Sequence, residues 1–322
     1  NRVRRQRQMC IRDSYKFMKN FLLFIVIGIF LTNNAFSKTK FSKVKKALKE
    51  DKYGRSIPEE FHMLNAKHAI NPVSISDFSI VGKKSIKFEL NDGECGYEPK
   101  WSDCKNDRER TELYYKKYPS KVERWYQFYI YLPKDYNSVA PSNMSLIQWK
   151  RLKPSKVLVM FKHTHAGLTF NRNGDTFRDS QIVLKQNDEF IGNWTQIIFN
   201  TNWHPDSKKG FMKVWIDGEL KVDFKGISNH PTKGLEQNLR YGLYNSFISR
   251  YKNTFGKSKM PQRIAFFDGV RSEKKCEKLL SEIECKKLNS QKVEKYKIYA
   301  YRKNKKELTP NSILEVPKSY IK

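Results

Sequence analysis

The chain has 322 residues, 39% of them hydrophobic and 14% aromatic, and a formal charge of +30. That length and apolar share exclude a disordered polymer and admit a single all-β domain of roughly 200–250 residues. The charge favours a polyanionic partner (nucleic acid, an anionic membrane or an acidic polysaccharide), but general overuse of lysine produces the same balance, so charge alone selects none of them.

In chain order, residues 1–14, NRVRRQRQMCIRDS, resemble translated adaptor sequence, and translation is expected to begin at Met18. Residues 15–37 read as a signal peptide. They have a basic start, the apolar run Phe21–Leu31, and small residues at Ala35 and Ser37. That run is too short to span a bilayer comfortably, so a secreted or periplasmic protein is expected, with no membrane attachment beyond the leader. Residues 38–75 form a lysine-rich linker with one short helix expected at Val44–Lys49.

From 76 to 271 the texture changes to short strand-like runs separated by turns. SIKFEL, RTELYY, RWYQFYIYLP, MSLIQW, KVLVMF, WTQIIFNTNW, FMKVWI, ELKVDF, LRYGLYN and RIAFFDGV are the clearest. Asp217-Gly218 suits a two-residue hairpin turn between FMKVWI and ELKVDF. So many strands with almost no helix predict a β-jelly roll, a concanavalin-like sandwich of two antiparallel sheets. Residues 272–322 are expected to be a basic, solvated C-terminal extension.

Without Cys10, four cysteines remain: Cys95, Cys104, Cys276 and Cys285. An even number in an exported chain predicts disulfides, and the near pairs are the simplest of three connectivities. One pair carries a tension. CEKLLSEIEC reads as a helix with Cys276, Leu279, Leu280 and Ile283 on one face, which would hold its cysteines roughly 13 Å apart. Either the helix breaks or those thiols are unpaired. No C-x-x-C or Cys/His cluster suggests zinc.

Read at period two, three strands place polar groups on one side and bulky apolar groups on the other. Arg108, Arg110 and Glu112 share a face, Gln148 and Lys150 share another opposite Ile147 and Trp149, and Arg240, Gly242 and Tyr244 align opposite Leu239, Tyr241 and Leu243. Such strands suit a groove-lining front and a core-packed back, with Gly242 leaving room beside Tyr244.

The segments GECGYEPKWSDCKNDRERTEL, QWK and RYGLYN resemble the signature strands of jelly-roll polysaccharide lyases, most closely the heparin lyase I-like family, with a related pattern in alginate and glucuronan lyases. The resemblance runs from about Lys83 through RIAFFDGV. It implies β-elimination on an anionic, uronate-containing glycan, with no cofactor required. Arg110 and Gln148 would neutralise the uronate carboxylate as the enediolate charge develops. Tyr244 would transfer the proton, helped by Arg240 and Lys150 favouring its phenolate. Arg108, Arg240, Glu112, Asn245 and Trp149 would bind substrate.

Two departures bear on the base. Lys150 stands where relatives commonly have histidine, and Arg240 where they have lysine. Three readings stay open: Tyr244 alone serves as base and acid, His163 or His165 of FKHTH supplies an imidazole, or the site is inactive. The spacing of those histidines is also compatible with a metal, but no third ligand is evident. Structural calcium could use Asp268 or Glu89.

A jelly-roll hydrolase would need two flanking carboxylates, and the E-x-D-x-x-E pattern is missing from the sequence. A non-catalytic carbohydrate-binding protein is the competing reading, with six tryptophans able to stack on sugars. Nucleic-acid binding rests on charge alone and is not expected. The protein is expected to act as a monomer on an acidic polysaccharide.

Overall fold

The structure, a computed structural model, describes residues 61–65, 68–98, 101–115, 118–172, 180–229, 236–300 and 313–320. The adaptor-like segment, the signal peptide and the short helix expected at Val44–Lys49 lie outside these residues.

Two antiparallel sheets form the sandwich. Across the larger, the order is β1 (Phe61–Asn65), β6 (Arg108–Tyr115), β15 (Gln237–Ser246), β8 (Asn143–Arg151), β9 (Lys156–Thr164), β10 (Gly167–Arg172), β11 (Ser180–Lys185), β17 (Lys295–Ala300) and β18 (Ile313–Pro317). Across the smaller it is β14 (Glu219–Lys225), β13 (Phe211–Ile216), β12 (Thr195–Asn202), β7 (Glu123–Tyr131), β16 (Arg263–Glu273), β3 (Ser85–Leu90) and β2 (Val73–Ser76). A short hairpin, β4 (Tyr97–Glu98) and β5 (Trp101–Ser102), stands apart. The jelly-roll expectation therefore holds.

The inner faces meet through aromatic contacts. Tyr126 of β7 packs edge-on against Trp149 of β8 at 5.1 Å, and Phe88 of β3 against Tyr241 of β15 at 5.7 Å. Trp149, Trp203, Phe128, Phe161 and Phe199 are also fully buried. Truncating one such ring typically costs 3–5 kcal/mol. One charged pair also crosses the core: Arg263 of β16 donates to Glu109 of β6 at 2.6 Å and to Asn245 of β15 at 3.2 Å. Within D-R-E-R, Glu109 thus turns inward between Arg108 and Arg110.

The Asp217-Gly218 turn is as expected. Both residues have positive φ, +49° and +83°, and the flanking strands pair through Ile216 and Glu219. Three expectations need correcting. The linker assigned to 38–75 contributes β1 and begins β2, which pair with β6 and β3 as edge strands. The segment from 272 is not an appendage, because β17 pairs with β11 and β18 with β17. Finally, CEKLLSEIEC is not one helix. A 3-10 turn at Cys276–Lys278 stops short of the helix Glu282–Ser290, which Ser281 starts through a capping box with Glu284. The break brings the Cα atoms of Cys276 and Cys285 to 5.9 Å and closes the disulfide. Ile283, expected on the buried face, is 81% exposed.

Candidate active site

The site lies on the outward face of the larger sheet, where β6, β15, β8 and β9 run side by side. Register fixes which side chains meet. Tyr244 sits between Arg110 of β6 and Ser145 of β8, and Ser145 is in turn paired with Lys162 of β9. Further along, Arg240 pairs with Tyr114 on one side and Gln148 on the other, and Lys150 faces Asn238.

A β-bulge makes this alternation work. The β15–β8 register shifts between Tyr241 and Tyr244, and Gly242 at the bulge has φ +130°. A Cβ at Gly242 would lie 2.5 Å from the Thr111 carbonyl oxygen and 2.7 Å from the Phe88 ring. The glycine therefore admits a close backbone approach above the core, rather than making room beside Tyr244.

Both arginines of β6 are engaged by protein groups. The Arg110 fork is held by Asp103, with Nε at 2.9 Å from Oδ2 and Nη2 donating to Oδ1 at 2.9 Å. Both side chains are buried. Asp103 reaches this position because the Cys95–Cys104 disulfide closes the loop that carries it, and the Arg108 and Arg110 backbone N–H groups bond to the Asp103 and Glu94 carbonyls. Gly96 is required in that loop, since a Cβ there would stand 2.5 Å from Asp103 Oδ2. Instead of reaching for a substrate carboxylate, the Arg110 guanidinium lies 4.2 Å over the Tyr244 ring. This cation–π contact fixes the ring on the sheet. Arg108 rests over the rings of Trp101 and Phe247 and donates to the Asn106 carbonyl.

Glu112 is fully buried and binds the machinery rather than substrate. It accepts from Gln148 Nε2 at 2.6 Å and lies 3.4 Å from Arg110 Nη1. Burial pushes its pKa up while Arg110 and Arg240 pull it back down. Gln148 retains a second N–H, and Arg240 lies beside it with Nε 3.4 Å from Asn238 Oδ1.

Tyr244 is half-buried, and its hydroxyl makes no hydrogen bond among the described residues. Burial raises its pKa, and the neighbouring Arg110 and Arg108 only partly offset this. The cations that act most strongly on the phenol are these two, and the phenol keeps its proton.

Several expected site residues lie elsewhere. Trp149 is a core residue, 0% exposed. Asn245 is also 0% exposed, held between Arg263 and the Asn143 carbonyl. His163 shares the inward face of β9 with Phe161, where Tyr136 and Phe190 surround it and Nε2 lies 2.9 Å from Asn187 Oδ1. Burial pushes its pKa down to about 4. His165 lies in the turn after β9, five positions from Met160, the residue opposite Gln148. The histidines therefore share no strand face, and His163 is buried on the core side of β9. Asp268 accepts three backbone N–H groups, from Ile80, Val81 and Gly269, and Glu89 pairs with Lys87 and Gln262. These two acids lie toward opposite ends of the β3–β16 ladder and do not converge on a calcium. Among the described residues, no group of three or more His, Cys, Asp or Glu is placed to hold a metal.

Sequence reasoning missed Asp103, Glu109 and Lys162. Alternation could have found Lys162, since Phe161 and His163 flank it and face the other way.

With this geometry in place, the comparisons decide the family. The model of the family described as "Polysaccharide lyase" matches residues 56–271. The chain belongs to the polysaccharide lyase family. No curated protein matches it. Among solved structures, this lyase is similar to an endo-β-1,4-glucuronan lyase from the fungus Trichoderma reesei, at 16% identity over 66% of this chain and 94% of that one, with a TM-score of 0.48. It is also similar to an alginate lyase in complex with an alginate trisaccharide, at 9% identity, 66% and 88% coverage, and a TM-score of 0.44. A third similar structure is cellulose induced protein Cip1, at 12% identity, 63% and 85% coverage, and a TM-score of 0.40.

Proposed function

We propose that this polysaccharide lyase cleaves an anionic, uronate-containing glycan by β-elimination on the Tyr244 face of the larger sheet. The observation that carries the reading is the Tyr244 hydroxyl. It is protonated, unbonded among the described residues and half-buried, and its ring is clamped by a guanidinium that is itself fixed by a buried carboxylate. Such a group is suited to donate a proton to a departing oxygen.

Gln148 and Arg240 supply donors for the uronate carboxylate as charge spreads onto it from C5. A base on the same face takes the C5 proton, and Lys150 beside Gln148 fills that role when its amine is uncharged. The C5–H and C4–O4 bonds break, a C4=C5 double bond forms, and the Tyr244 proton passes to O4. Because the Tyr244 phenol must hold its proton for this step, activity falls where that phenol ionises. The two disulfides and the signal-like leader support an oxidising, secreted or periplasmic setting.

The tryptophans give the lectin reading little support. Trp149 and Trp203 are core, Trp125 and Trp215 lie under the C-terminal helix, and Trp194 stacks on Phe78. Trp101, 38% exposed beside Arg108, is left to face a sugar.

The test is ultraviolet absorbance during incubation with alginate, glucuronan and glycosaminoglycans. Elimination predicts absorbance from an unsaturated uronate. New reducing ends without that absorbance would mean hydrolysis and overturn the reading.

A further inference from the structure

Lys162 is a buried charge on the Tyr244 face that the elimination chemistry above does not use. It is 8% exposed on β9, and Phe161 and His163 on either side point into the core, so its side chain lies on the same face as Tyr244. Its cross-strand neighbours are Ser145 and Thr169, both uncharged. Thr169 Oγ1 donates to Gln181 Oε1 at 2.7 Å. Among the described residues the Lys162 ammonium has no hydrogen bond and no ion pair. The charged group acting on it is Arg250, from the helix Ile248–Phe255, and that is another cation.

A buried ammonium without a counter-charge is costly, and a fold retains one where a ligand supplies the anion. Burial and Arg250 push its pKa down to about 8, so it is still charged at neutral pH. Its place in the register decides which anion it meets. Tyr244, Ser145 and Lys162 stand opposite one another on three adjacent strands. Lys162 therefore lies two strand spacings, roughly 9.5 Å, from Tyr244. Gln148 lies about 10 Å along β8 from the level of Tyr244, so Lys162 stands to the side of the carboxylate activated beside Gln148 and within reach of a neighbouring sugar unit.

We propose that Lys162 forms an anion subsite that binds the carboxylate or sulfate of a sugar unit adjacent to the cleaved one, so that the substrate carries negative charge on more than one unit. The proposal rests on the lyase reading for the direction of the glycan, but binding can be measured without turnover.

The experiment uses the full chain carrying Tyr244→Phe, with and without Lys162→Met. Affinity is measured by calorimetry for three tetrasaccharides: an unsulfated oligouronate, a sulfated glycosaminoglycan and a sulfated galactan lacking uronate. Lys162→Met should weaken binding of the anionic ligand by about 10- to 100-fold, and Lys162→Arg should restore it to within a few-fold. The ligand-free Lys162→Met protein should melt no lower than its parent, because an unpaired buried charge has been removed. Loss confined to the oligouronate assigns a carboxylate. Loss confined to the galactan assigns a sulfate.

Unchanged affinity for all three ligands, or no binding of any by the parent, would overturn the subsite. In the Tyr244 enzyme, a fall in kcat at constant KM on Lys162→Met would overturn it as well, since Lys162 would then be moving a proton. Binding that depends on Lys162, in a protein that yields no unsaturated product, would overturn the lyase reading and leave the subsite standing.

Discussion

The two disulfides each close a loop of the same sequence separation, nine residues, yet they do opposite work. The Cys95–Cys104 loop is polar. It delivers Asp103 to Arg110, and Arg110 to the ring of Tyr244. The Cys276–Cys285 loop turns its leucines inward. Its cysteines, with Leu279 and Leu288, cover Trp125, Ile198 and Trp215 on the outer face of the smaller sheet, and Trp215 donates to the Leu288 carbonyl at 3.1 Å. The same covalent device thus preorganises chemistry on one sheet and seals a hydrophobic face on the other. What separates the two is the residue each loop carries inward: a carboxylate in the first, leucines in the second.

Substitution at Asp103 should break the comparison most sharply. Asp103→Ala leaves the buried Arg110 with the longer Glu112 contact in place of its two-point carboxylate partner, which costs about 3 kcal/mol, and loosens the guanidinium over the Tyr244 ring. Denaturant unfolding should show that loss, and kcat/KM should fall by about 100-fold or more at temperatures where the variant is folded.

Acid tests the core independently of either loop. His163 is held neutral, with a folded pKa of about 4 against about 6.5 unfolded. The unfolded state therefore binds more protons between those values. Stability is full above about pH 6.5 and declines as pH falls toward 4, by up to about 3 kcal/mol through this group. Unfolding midpoints measured across that window should flatten in His163→Gln.

Opening the second loop should be milder and purely structural. With Cys276→Ser and Cys285→Ser together, stability should drop by about 2–3 kcal/mol and kcat/KM should stay within about twofold. The smallest expected effect is a displacement of the pH profile. Arg110 lowers the Tyr244 pKa while Asp103 and Glu112 raise it, so Arg110→Met raises that pKa and moves the alkaline limb of kcat upward. The double-serine variant should leave that limb in place.

Much of the fold was legible because alternation and turn chemistry are local. SIKFEL coincides with β3, and Asp217-Gly218 turns where expected. What escaped was strand addition at the edges. β17 (KYKIYA) and β18 (ILEVP) are short and lie in a lysine-rich tail, so only the pairing of β17 with β11 and of β18 with β17 reveals them. At the site, the sequence reveals which residues share the face of β6 but not that Asp103 reaches across the loop to occupy Arg110. Trp149 and Asn245 were assigned to substrate by proximity along the chain, while the pleat turns both inward. The break before Ser281 was visible as a capping box, S-E-I-E, inside what reads as one continuous helix.

The most direct test of the account is Tyr244→Phe, read by unsaturated-uronate absorbance together with glycan affinity. The account predicts loss of absorbance by at least about 1,000-fold, with affinity and melting temperature close to the parent. A variant that still releases unsaturated product at a comparable rate would contradict it, because the proton to O4 would then come from another group.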